Sequence, residues 1–171
     1  MTASVQVPRL DWAEAGAPDS ATWRLRDAQV DVSGTPAAMV LTTQAKAENN
    51  TQRLRLEAKA QGGRGAGGSW SAQIDSTRLT VQDTRRPGVW TAQLADPVAV
   101  LWKQTAATQT LEGSAGNLLL TGPVPGAASV AWQAARWTQT AVGGQLRSQW
   151  NTRGRITDLP MAWLEPFSPT Q

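Results

Sequence analysis

The chain has 171 residues, with 16 Lys+Arg against 13 Asp+Glu for a net charge of +3, and it holds nine Trp but no Cys, His or Tyr. That length suits one domain, or one slice of a repetitive one, and can hide roughly two-thirds of its unfolded surface. Without Cys or His there are no ligands for a structural zinc and no parts for a Ser-His-Asp or Cys-His catalytic set, and no run approaches the ~18 apolar residues of a membrane-spanning helix.

Period-two alternation dominates from the start and predicts an all-β chain of about ten strands. Val5 to Trp12 reads as the first strand, followed by a loop over Ala13–Ser20. Trp23 and Leu25 share one parity and Ala28, Val30 and Val32 the other, a one-residue slip of the kind a β-bulge produces. Residues 37–61 form a hairpin: Ala37, Met39, Leu41, Thr43, Ala45 and Ala47 alternate on one arm. On the other arm Leu54, Leu56, Ala58 and Ala60 alternate with Arg53, Arg55, Glu57 and Lys59. Asn49-Asn50 sits at the turn, where residues tolerant of positive φ are expected. Gly62–Ser69 reads as a loop. Trp70, Ala72 and Ile74 then fall out of phase with Leu79 and Val81, a second expected bulge.

Loops are expected again at Thr84–Gly88 and Thr121–Ala127. Trp90, Ala92, Leu94, Val98, Val100 and Trp102 share a parity that Asp96-Pro97 interrupts, and Pro cannot donate to a ladder. Further strands are expected at Leu118 to Leu120, Ser129 to Trp137 and Gln145 to Ile156. The single helical turn predicted is Leu159–Leu164, punctuated by Asp158 before it, Pro160 near its start and Pro166 after it. The strands nearest the two ends, Val5–Trp12 and Leu146–Ile156, are the expected sheet edges, which would template self-association.

Few residue groups point to chemistry. Gly63-Arg64-Gly65-Ala66-Gly67-Gly68 satisfies G-x-G-x-x-G, but a dinucleotide fingerprint needs a helix next, and Ser69–Ile74 reads as a strand. The motif therefore reads as a strand connection, and no cofactor is expected. General bases are limited to carboxylates and to Lys46, Lys59 and Lys103; Asp75 with Asp83, or Asp27 with Asp31, are the acid pairs left open. The expectation is that the chain is not an enzyme. The tryptophans fit core packing, stacking on sugars or bases, or a lipid-facing groove. Because Arg24 and Arg26 oppose Trp23 and Leu25, and Arg53 and Arg55 oppose Leu54 and Leu56, cations and aromatics sit on opposite faces, which argues against nucleic acid.

Two stretches resemble a known family. Gly154-Arg155-Ile156-Thr157-Asp158-Leu159-Pro160-Met161-Ala162-Trp163-Leu164-Glu165-Pro166-Phe167 resembles the closing phrase that recurs in TamB proteins of the AsmA-like group. Gly88-Val89-Trp90-Thr91-Ala92-Gln93-Leu94-Ala95-Asp96-Pro97-Val98-Ala99-Val100 resembles a strand pair of theirs. The likeness covers about residues 69–167 and lacks the Cys-containing strand that some members carry. It implies an internal segment, residues 1–171, of a longer, repetitive, inner-membrane-anchored periplasmic protein of Gram-negative bacteria. In that family stacked antiparallel strands form a curved, U-shaped open sheet with an apolar inner face. The implied function is a lipid-transfer conduit for outer-membrane biogenesis, with phospholipid, neighbouring β-trough segments and an Omp85-type barrel as partners.

If such a trough forms, the lipid-binding lining is Met39, Leu41, Leu54, Leu56, Trp90, Leu94, Val98, Val100, Trp102, Leu118, Leu120, Leu146, Trp150 and Ile156. The alternatives are a carbohydrate-binding β-sandwich and a purely structural β-module of an envelope assembly protein.

Overall fold

In this computed structural model residues 1–12, 22–142 and 145–163 are described, and the expected loop at Ala13–Ser20 lies outside them. Each strand lies beside the one that follows it or continues it end to end, so the whole is an open antiparallel meander of thirteen strands. Five are uninterrupted: β1 (Thr2–Trp12), β2 (Trp23–Thr35), β3 (Ala38–Glu48), β4 (Gln52–Arg64) and β5 (Trp70–Asp83). The other eight are four crossings each broken in two. β6 (Arg86–Leu94) continues into β7 (Val98–Gln104), and β8 (Thr108–Gly113) into β9 (Gly116–Thr121). β10 (Ala127–Trp132) continues into β11 (Ala135–Val142), and β12 (Gln145–Asn151) into β13 (Gly154–Thr157).

The four breaks line up across the sheet. One half of β5 pairs with β6 and the other with β7, after which the sheet runs on as β9, β10 and β13 on one side of the line and β8, β11 and β12 on the other. Pro97, which has no N–H to offer a ladder, starts this crease. At its next crossing the Ser114 hydroxyl oxygen accepts from the Ala99 N–H at 3.0 Å, and the Ser114 N–H donates to the Ala99 carbonyl at 2.8 Å. Gln133 N–H to the Arg153 carbonyl, 2.9 Å, holds the crossing after that. Both expected phase slips are present: β4 and β5 shift register at Lys59/Ala60, leaving Asp75 as the extra residue, and β2 and β3 shift between Arg26 and Gln29. Asp27, with φ at 50°, marks the second.

The sequence expectation of ten strands falls short in two ways. Ser129 to Trp137 and Gln145 to Ile156 each span a break at the crease. β8 was not anticipated because Leu111 is the single large apolar residue among Thr108, Gln109, Thr110 and Glu112, too little to show a period. Helix is confined, among the described residues, to 3-10 turns at Ala66–Gly68 and Met161–Trp163. The Asn49 turn also works differently from expectation: neither asparagine has a positive φ. Instead the Asn49 side-chain oxygen accepts from the backbone N–H of Thr51 at 2.9 Å and of Gln52 at 2.7 Å, the side chain substituting for a backbone acceptor.

Two local features give measurable consequences. Gly63 is buried where the β2–β3 turn folds against the end of β4, and a Cβ there would lie 2.3 Å from the Ala37 carbonyl oxygen. Because backbone cannot swing aside, Gly63→Ala should cost about 1–3 kcal/mol in urea unfolding. Gly113→Ala, whose Cβ meets nothing within 4 Å, should be close to neutral.

At the β5–β6 turn the Asp83 carboxylate accepts from the Arg85 backbone N–H at 2.8 Å and from its guanidinium at 2.9 and 3.1 Å. These bonds hold the Asp83 carboxyl well below its ordinary 3.8. A folded-state value depressed in this way gives stability that is present above the unfolded value and lost as pH falls through it and below. The wild type should therefore lose stability faster than Asp83→Asn on acidification from about pH 4 to pH 2. Parallel acid limbs for the two proteins would contradict this role.

An uncovered apolar face

Partners directly opposite each other in an antiparallel ladder share a face, so the register assigns every strand residue to one side. Starting from Leu54 and Leu56 on β4, one face collects Ala47, Ala45, Leu41 and Met39 from β3 and Val81, Leu79, Ile74 and Ala72 from β5. It continues through Leu25, Val30 and Val32 of β2 to Val5, Leu10 and Trp12 of β1. In the other direction it takes in Trp90, Ala92, Leu94, Leu118, Leu120, Val130 and Ile156 on one side of the crease. On the other side it takes in Val98, Val100, Trp102, Leu111, Trp137, Trp150 and Leu146.

All eight strand tryptophans lie on this face. Trp12 stacks on Trp23 with ring centres 6.1 Å apart, and Trp137 leans on Trp150 at 6.4 Å. Trp70 stands opposite Trp102. At the crease the Trp132 indole N–H donates to the Ser114 carbonyl at 3.1 Å, and its ring occupies the space a Cβ on Gly116 would need.

The opposite face carries the charges. Arg26, Lys46 and Arg55 form one cross-strand row, with Arg24, Glu48 and Arg53 beside it. Their ion pairs are local and solvated: Arg26 to Glu48 at 2.9 Å, Lys46 to Asp27 at 3.0 Å, and Arg55 to Glu57. Such exposed pairs contribute little to stability. Of the two acid pairs left open by the sequence, Asp75 sits on the bulge and accepts from Gln61 and Gln73, while Asp83 is held by Arg85 at a strand end. Asp27 is tied to Lys46, and Asp31 accepts from Gln29 at 2.7 Å, its carboxyl lowered by hydrogen bonds from Ser4 and Gln29.

No second sheet covers the apolar side among the described residues. Only Val98, Ala128 and Trp163 are buried there, Gly63 being the one buried residue on the opposite face. The chain exposes 11778 Å², where a closed monomer of 18.2 kDa would expose roughly 8,100 Å². One short segment does fold over the face. The turn at Met161–Trp163 sets Trp163, 3% exposed, edge-on against Trp90 at 5.0 Å, with its indole N–H donating to the Val124 carbonyl at 3.2 Å.

The face is not flat. Small residues at its middle, Ala60, Gly62 and Ala72, leave a depression of about 370 Å³ walled by Val32, Met39, Leu41, Trp70, Val100 and Trp102. Arg64 lies opposite Trp70 in the ladder, which puts an exposed cation on the apolar side beside the Trp70 wall of the depression. A larger hollow of about 900 Å³ opens on the charged face, lined by small residues with Gln61, Gln73, Glu112 and Arg136. Its walls are shallow strand backbone and mixed polar groups, with no group convergent enough to fix a ligand.

Family models, curated proteins and solved structures give no match to this chain.

All fourteen residues anticipated as a lining, from Met39 and Leu41 to Trp150 and Ile156, share the apolar face. They do not form one site. Met39, Leu41, Val100 and Trp102 meet in the central depression. Leu94 with Leu118, and Leu120 with Ala128, pack on the β6–β9–β10 side, and Val98 is already buried at the crease. Leu146, Trp150 and Ile156 stand at the far edge, 69%, 67% and 59% exposed. Val32, Ala60, Gly62, Trp70 and Ala72 were not anticipated as part of the lining. The parity of their own strands would have found them once the bulge at Asp75 was counted. Trp163 as a cover had no signal in the alternation, because it lies outside any strand. No helix among the described residues is long and apolar enough to cross a membrane.

Proposed function

We propose that the uncovered face binds the acyl chains of phospholipid, and that this chain is one stretch of a lipid-transfer conduit. The observation that carries the reading is the placement of all eight strand tryptophans and most of the large aliphatic residues on one side of an unclosed sheet, with Val40, Val89, Leu101 and Leu119 the exceptions. An apolar patch of that extent exceeds what a soluble monomer leaves in water. The central depression with Arg64 beside its Trp70 wall suits an amphiphile, with tails against Trp70, Trp102 and Val100 and an anionic headgroup toward the guanidinium. No bond is made or broken. Each CH₂ removed from water contributes about 0.8 kcal/mol, without directional contacts to fix register, so a tail is retained yet free to slide. The resemblance of residues 88–100 and 154–167 to TamB proteins supports a periplasmic setting for such a stretch, with neighbouring segments of the same kind and an Omp85-type barrel as partners.

Native mass spectrometry of the purified chain tests this. Co-purified phospholipid, displaced by excess detergent, is the expected result, with Arg64→Glu weakening retention of anionic lipid more than of zwitterionic lipid. A chain that arrives lipid-free and does not take up vesicle lipid overturns the reading. Quenching of Trp70, 39% exposed, by oligosaccharide in that case would favour the carbohydrate-binding alternative, and neither response would leave a structural module.

A further inference from the structure

The two sides of the sheet end differently. β1 is blunted in the manner of a protected edge: Pro8 removes an N–H from its middle, and Arg9 is engaged by Asp11 at 2.6 Å. β12 and β13 carry no proline and, among the described residues, pair only inward, with β11 and β10. Every residue of β12 is exposed. Leu146, Trp150 and Ile156 project from this edge on the apolar face, and Arg147 and Arg155 lie on the other.

Charge along β9 to β13 is one-signed, with Glu112 on β8 and exposed Asp158 just past β13 as the flanking acids. Residues 113–157 hold Arg136, Arg147, Arg153 and Arg155 and not one Asp or Glu. Across the ladder Arg147 faces Thr140 and Arg155 faces Ala131. Among the described residues neither they nor Arg153 makes an ion pair; Arg136 alone has one, at 3.6 Å from Glu112 on β8.

We infer that the β12–β13 edge receives an added β-strand from a partner polypeptide whose residues alternate apolar and acidic. The apolar set would extend the tryptophan-bearing face beside Leu146, Trp150 and Ile156, and the acidic set would stand opposite Arg147 and Arg155. Two other occupants fit less well. A second copy joined symmetrically through this edge, with like faces aligned, sets arginines opposite arginines or neutral residues, and like charges directly opposite are unfavourable. An anionic membrane would suit the arginines and the exposed Trp150. It would leave the free N–H and C=O groups of the edge without partners in hydrocarbon, at several kcal/mol each, whereas a strand satisfies them.

The probe is a labelled ten-residue peptide alternating Val and Glu, N-methylated along one edge so that it cannot stack on itself, with a Val/Lys peptide as its counterpart. Fluorescence anisotropy on the intact chain should show the Glu peptide binding about tenfold more tightly than the Lys peptide at low salt. The double variant Arg147→Glu/Arg155→Glu, both at exposed positions, should reverse that order while keeping the same circular dichroism. Amide exchange should slow over 145–157 and not over 2–12. Equal affinities, protection at β1 in place of β12, a symmetric dimer with no peptide uptake, or binding confined to anionic vesicles would each overturn the inference. Lipid retention on the central face is measured separately, so the edge can fail while the lipid reading stands, or the reverse.

Discussion

Val100→Arg is expected to strip phospholipid from a chain that stays folded. Val100 lies on the apolar face between Ala72 on β5 and Gly113 on β8, and it helps wall the central depression. A Cβ on Gly113 would meet nothing within 4 Å, so a long side chain has room there. Its guanidinium can reach water over small neighbours, as arginines do at apolar surfaces. The acyl chains have no such escape, because sharing the depression with a charge means desolvating it. Retention should fall about a hundredfold, equivalent to ~2.7 kcal/mol, while the far-ultraviolet circular dichroism is unchanged. Arg55→Asp, on the charged face, is the control and should retain lipid as the wild type does. Leu120→Asp is a different experiment: Leu120 pairs with Ala128, 1% exposed, and a carboxylate there should unfold that half of the sheet. Loss of fold at Val100 as well would mean that the central depression is structural core.

Trp163→Ala should produce the largest stability loss of any truncation to alanine on the apolar side, about 3–5 kcal/mol. Trp163 is the one aromatic side chain among the described residues that is fully buried, and it is supplied from outside the sheet. Removing it deprives Trp90 of its edge-on partner and uncovers Gly122, whose Cβ position lies 2.8 Å from the Trp163 ring. Trp163→Phe should recover most of the loss and fall short by about 1 kcal/mol, the hydrogen bond to the Val124 carbonyl. Urea titrations decide it, read as a shift in midpoint at constant slope. A cost below about 1 kcal/mol would make the C-terminal turn an incidental contact.

Strand character was legible because period-two alternation is local. The alternation of Leu54, Leu56, Ala58 and Ala60 with Arg53, Arg55, Glu57 and Lys59 states both the strand and its two faces, and the slips at Asp27 and Asp75 were visible as changes of parity. Edge positions followed from chain order, because a meander puts its first and last strands outside. The crease was not legible. Pro97 signals one break, but Ser114-Ala115, Gln133-Ala134 and Thr152-Arg153 are ordinary strand residues, and they interrupt pairing because they lie in line with Pro97 across the sheet. The central depression was half legible: its walls are large apolar residues, but its floor is Ala60, Gly62 and Ala72, which carry almost no hydrophobic signal. Trp163 could not be placed at all, since its partner Trp90 is 73 residues away in the chain.

Next-neighbour connectivity has a consequence for how such a chain is built and lost. No strand waits for a distant one, so each hairpin closes on its predecessor, and contact order stays low for a β protein. Stability then accumulates along one dimension, hairpin by hairpin, as in a solenoid. Opening should begin at β1 and at β12–β13 and work inward, with the slowest amide exchange over β3 to β5. Growth is equally simple: a hairpin inserted in phase with the bulges lengthens the sheet without any core having to be repacked, and deleting one shortens it by the same step.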